Sequence, residues 1–180
     1  MPRRPGEAKI ARQIAALPSW PLASFVTSDS IRTGRASPVQ PRAEKWSAAE
    51  ILEHLDKTYS SSARLFEKIL ENGELRVQPR TTKQLAAQFV VIGLGHMPRG
   101  RPAPAMTIPT GAPAAEVTRS VRADFIRMAG LHTQIVQRFG GRRISQHPVL
   151  GALNANGWAK FHWVHGHHHF RQIDALLRRS

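Results

Sequence analysis

The 180-residue chain has no cysteine. This excludes disulfides, cysteine-ligated zinc, iron–sulfur clusters and a protein thiol nucleophile, and it fits a reducing compartment. Long hydrophobic runs are missing too, and no stretch approaches the roughly 20 apolar residues that span a bilayer. The basic start, Met1-Pro2-Arg3-Arg4-Pro5-Gly6-Glu7, leads into no apolar segment, so a secretory signal is not expected. The expectation is a soluble, cytoplasmic protein with no membrane partner. Acidic residues are scarce, 12 against 26 basic ones, for a formal net charge of +14. Yet the basic residues are scattered, with doublets such as Arg3-Arg4 and Arg142-Arg143 as the densest pieces. None forms a basic run with interleaved aromatics of the kind that stacks on bases. Nucleic acid is expected only as a weak, non-specific partner at low salt.

What the chain does have is histidine. Five of its nine fall within eight residues, in Phe161-His162-Trp163-Val164-His165-Gly166-His167-His168-His169-Phe170-Arg171-Gln172. On a helix, His165 and His169 form one i,i+4 pair with Cβ atoms roughly 5–6 Å apart, close enough for both imidazoles to reach one cation. His167 projects about 200° away from both, from the 3.6-residue turn, and cannot join them. Neutral imidazole suits zinc, nickel, copper and iron(II), so the pair points to a divalent metal without naming it. An expression tag does not fit, because apolar residues interrupt the run and eleven residues follow it.

The length suits one domain. Four helical segments stand out. The first covers about Gly6 to Leu17 and is followed by a proline-rich connection, Pro18 to Lys45. The second starts at Ser47-Ala48-Ala49-Glu50, a capping box spanned by a Trp46–Ile51 staple, and ends before Asn72-Gly73. Its apolar face runs Ile51, Leu55, Tyr59, Leu65, Phe66, Ile69 and Leu70. The third has Pro113 at its first position and runs to Phe139 with the stripe Val117, Val121, Phe125, Met128, Leu131, Ile135, Phe139. The last begins after the N-cap Asn154 and continues to about Arg178, with Trp158, Phe161, His165, His169, Ile173 and Leu176 on one side. Thr82 to Leu94 reads as helix or strand, and Gly95 to Ala112 as a loop long enough to be a lid. The fold class is all-α, a helical bundle over residues 46–180 with the N-terminal helix packed on it.

A metal needs a third ligand. His54, two turns into the second helix beside core-facing residues, is the best placed. His132, next to Leu131 on the third helix, is the alternative. His96 and His147 sit in loops, which hold geometry less well.

Trp46-Ser47-Ala48-Ala49-Glu50-Ile51-Leu52-Glu53-His54-Leu55 resembles the second-helix signature of the DinB/YfiT-like family of bacterial metalloproteins. His147-Pro148-Val149-Leu150-Gly151, followed by Leu153, Trp158, Phe161 and then His165 to Gln172, resembles that family's C-terminal end, nearest to an uncharacterised branch with a His-x-x-His-His-Leu-Arg-Gln helix. The resemblance covers roughly Trp46 to Ile173. It implies a four-helix bundle in which His54, His165 and His169 bind one divalent metal. Gln172 matches the family's glutamine after the last ligand, while Phe170-Arg171 replaces the usual Arg-Gly.

Three neutral imidazoles leave the metal its full charge and an open position, where the pKa of a bound water can fall to about 7. That suits a hydrolase, or a transferase that borrows a low-molecular-weight thiol cosubstrate. The expectation is a metal-dependent enzyme acting on a small molecule, with a homodimer as a compatible assembly. A non-enzymatic metal-binding or stress-response protein is the alternative. No general base is evident: Glu50 is committed to its cap, Glu53 lies about 100° round the helix from His54, and Asp174 reads as solvated. Gln172, His162 and His168 are the remaining catalytic candidates. The two histidines read as exposed, with a proton-shuttle role as the alternative.

Overall fold

A computed structural model describes residues 46–73, 77–100 and 102–178. The predicted first helix and the connection to Lys45 lie outside the described residues. Helix α1, Ala48–Asn72, starts as its sequence dictates: the Ser47 hydroxyl accepts from the Glu50 amide, and the Glu50 carboxylate accepts from the Ser47 amide. Gly73 ends it at φ 69°, the left-handed conformation that only glycine adopts without strain. Helix α2 is short, Thr82–Gln88, and widens into a single π turn, Phe89–Gly93. This resolves the helix-or-strand ambiguity of that segment. Residues 95–112 contain one turn of 3-10 helix, Ala105–Thr107. Helix α3, Ala114–Phe139, has Pro113 as its N-cap rather than its first helical residue. Helix α4, Ala155–Leu177, begins where the Asn154 side chain accepts from the Gly157 amide.

The all-α expectation needs one correction. Strands β1, Arg143–His147, and β2, Gly151–Asn154, form an antiparallel hairpin between α3 and α4. The strands are too short and too irregular for a period-two pattern to show in sequence; their register slips between Arg143 and Ser145. The turn is held by His147, whose Nδ1 accepts from the amides of Val149 and Leu150. Gly151, at φ 72°, takes the left-handed conformation that favours glycine, and a Cβ there would come within 2.7 Å of the Gln84 side chain, which would have to shift.

Helices α1, α3 and α4 bury one continuous core, with Leu55, Tyr59, Val121 and Ile135 fully enclosed. The stripes read from the sequence point inward as expected, except that Leu65, Leu70 and Leu131 are half-buried and Leu176 is exposed. An exposed ion pair, Arg127–Glu67, ties α3 to α1. Among the described residues, no helix is long and apolar enough to cross a membrane.

Candidate metal centre

His54 and the pair His165/His169 sit 111 residues apart in sequence but face each other across the α1–α4 contact. Nε2 of His54 is 3.2 Å from Nε2 of His165, and Nε2 of His169 is 3.1 Å from the same atom. One ligand atom from each lies within 4.8 Å of the other two. For a tetrahedral ion with metal–nitrogen bonds of about 2.0–2.1 Å, adjacent nitrogens stand about 3.3 Å apart. The two short separations fit that geometry. All three side chains are buried, none more than 9% exposed.

Two of the imidazoles have their proton placed by a neighbour. Nδ1–H of His54 donates to the Thr107 carbonyl at 2.9 Å, and Nδ1–H of His169 donates to Gln172 Oε1 at 2.7 Å. A backbone carbonyl can only accept, so Nε2 of His54 carries the lone pair, the form a metal requires. His165 stacks on Phe161, with ring centroids 5.3 Å apart and planes 19° apart, and its Nδ1 has no partner.

Burial is the chief reason that all three stay neutral. It pushes His54 below its usual 6.5, with the Thr107 bond opposing and the Lys57 charge assisting. It pulls His165 well below, helped by His169 and His54. His169 falls to about 3 from burial and the neighbouring His54 and His168, against the Gln172 bond. Three unprotonated nitrogens converging in a buried site repel one another unless a cation, or a proton on His165 Nε2, lies between them. A divalent cation is the partner that uses all three lone pairs at once. The donor set and its spacing therefore fit a metal.

The other candidates separate from this group. His132 is buried with its Nε2–H donating to the Ala155 carbonyl, and its ring nitrogens are not among the ligand atoms that converge. His147 holds the hairpin turn, and His96 is exposed. His167 packs on Trp163, away from the pair. His168 is half-buried, edge-on to His169. His162 overturns the expectation of exposure: it is 3% exposed, stacked on Trp158 and edge-on to Tyr59, and neither ring nitrogen has a partner. Its position one turn before His165 puts it on the core face of α4. Asp174 is half-buried beside Arg178. Among the described residues, no fourth histidine or carboxylate joins the three.

Two features of the site escape sequence reading. One is the Thr107 carbonyl, a backbone group with no side-chain signature. The other is Glu53, which is 2% exposed yet charged. Its oxygens accept from the amides of Thr110, Gly111 and Ala112 and from the Thr110 hydroxyl, and Lys57 pairs with it at 2.8 Å. Burial alone would raise its pKa, but Lys57 and the Thr110 and Ala112 donors outweigh burial and pull it from 4.5 to about 2. The visible signal was a Glu–Lys i,i+4 pair whose glutamate adjoins a core-facing histidine.

No curated protein and no solved structure matches the chain. The family model described as "Protein of unknown function (DUF1569)" matches residues 28–175, a span that includes all three histidines, and the chain belongs to that family.

Proposed function

We propose that this protein binds one divalent metal ion through His54, His165 and His169, and that it is a metal-dependent hydrolase or small-thiol-dependent transferase built on a DinB-like four-helix bundle. The observation that carries the reading is the convergence of three buried, neutral Nε2 atoms at 3.1–3.2 Å steps. A structural zinc site normally has four protein ligands, whereas a catalytic one keeps a position for water or substrate. Three ligands are what the described residues supply here. A cation so held would act as a Lewis acid toward a carbonyl or phosphoryl oxygen, or toward an external thiolate. The thiol must come from a cosubstrate, since the chain has no cysteine. Gln172 and Thr107 orient two of the three imidazoles. His168, beside His169, is the candidate for moving a proton at the site's edge.

A stabilising, non-enzymatic metal site is the second reading, and metal removal separates the two. The core shared by α1, α3 and α4 is continuous without the site. Elemental analysis of purified protein should find about one divalent metal per chain, largely lost in His165→Ala. Chelated wild type and His54→Ala should still melt cooperatively, only a few degrees below the metal-loaded protein. Full metal content in His165→Ala would refute the ligand set. Loss of cooperative melting in both metal-free forms would replace the catalytic reading with the structural one.

A further inference from the structure

We propose that Glu53 is a positioning residue for this centre: it locks the 107–112 segment so that the Thr107 carbonyl holds His54 with Nε2 toward His165 and His169. The inference rests on the metal reading of the three histidines. Glu53 and His54 are adjacent on α1, yet they reach the same segment by opposite means. The carboxylate gathers three successive amides and a hydroxyl, from Thr110, Gly111 and Ala112, at 2.8–3.0 Å. Three residues upstream, the segment returns a carbonyl to His54 Nδ1. Lys57, one turn on, closes the ring by donating to the Ile108 carbonyl and the Thr110 hydroxyl while pairing with Glu53. Thr107 is itself fixed, its hydroxyl donating to the Pro104 carbonyl.

The segment that the sequence suggested as a lid is thus anchored at the ligand end. With those amides unmatched, Thr107 would lose its fixed place and His54 its preference for the Nδ1–H tautomer. The Nε2–H tautomer presents a proton, not a lone pair, to the cation. Metal binding and order in 107–112 are therefore coupled, and each strengthens the other.

The test uses the full chain with zinc as the probe. Zinc affinity is measured by chelator competition for wild type, Glu53→Gln and Ile135→Val, the last a core variant that lowers stability without touching the site. Two-bond proton–nitrogen NMR of the metal-free protein reports the His54 tautomer. Glu53→Gln keeps the volume but replaces one accepting oxygen with a donor facing amides. It should bind zinc roughly 10–100-fold more weakly and show mixed His54 tautomers. Ile135→Val should melt lower yet bind zinc as wild type does. Thr110→Ala, at an exposed position, removes one of the four donors and should give a smaller fall, which keeps the test usable if Glu53→Gln does not fold. Wild-type affinity in Glu53→Gln or, where that does not fold, in Thr110→Ala, with His54 still the Nδ1–H tautomer, would overturn the clamp. Absence of zinc binding in wild type would instead overturn the metal reading, and the tautomer of His54 in the metal-free variants would still judge the clamp.

Discussion

Replacing His162 with phenylalanine isolates what a buried neutral imidazole costs this fold in acid. Burial, with lesser contributions from His147 and His132, drops the His162 pKa from 6.5 to about 3. The unfolded chain therefore takes up a proton below pH 6.5 that the folded chain refuses until about pH 3. The unfolded state binds more protons across that window, so stability is complete above pH 6.5 and falls as pH drops through it. Each pH unit costs about 1.4 kcal/mol per such histidine. Between pH 6.5 and 5.0, His162 alone should account for about 2 kcal/mol. At pH 7.5 the substitution should be neutral or stabilising: it conserves a ring among Tyr59, Trp158 and Phe161 and deletes two unpartnered nitrogens, each costing about 1–3 kcal/mol when buried. The assay is urea unfolding with chelator present at pH 7.5, 6.5, 5.5 and 5.0. The wild-type and His162→Phe curves should diverge as pH falls, the variant losing about 2 kcal/mol less. Parallel curves would refute the buried-neutral assignment. A large loss in the variant at pH 7.5 would show that the ring nitrogens have hydrogen-bond partners.

Gln172→Ala removes the acceptor that fixes His169 and should weaken zinc binding by about tenfold or more, read by chelator competition; an unchanged affinity would mean that the helix alone orients His169. Ser47→Ala deletes one half of the α1 capping box and should lower stability by about 1 kcal/mol in urea melts, with zinc stoichiometry unchanged.

The sequence by itself determined the three long helices, because their start signals and 3.6-residue stripes are local. The Ser47 box, the Asn154 cap and the runs from Ile51 and Val117 need no distant partner to be recognised. It also determined two of the three histidines of the centre, since i,i+4 spacing alone brings His165 and His169 to one face of α4. The preference for His54 over His132 came from its place beside the core-facing residues of α1, but periodicity alone could not decide it: both histidines lie beside apolar stripes, and both are buried. Only the packing of α1 against α4 brings His54 to the pair, and only the start of α4 claims His132 through the Ala155 carbonyl. The hairpin was invisible because four or five residues carry too little alternation, and its turn depends on a histidine accepting from two amides. His162 was misread as exposed because a cluster of histidines looks polar in sequence, whereas the helix rotates this one into the core. Glu53 shows the same division most clearly. A glutamate beside a histidine has many uses, and the fold chose one by delivering three backbone amides to it from 57 to 59 residues away.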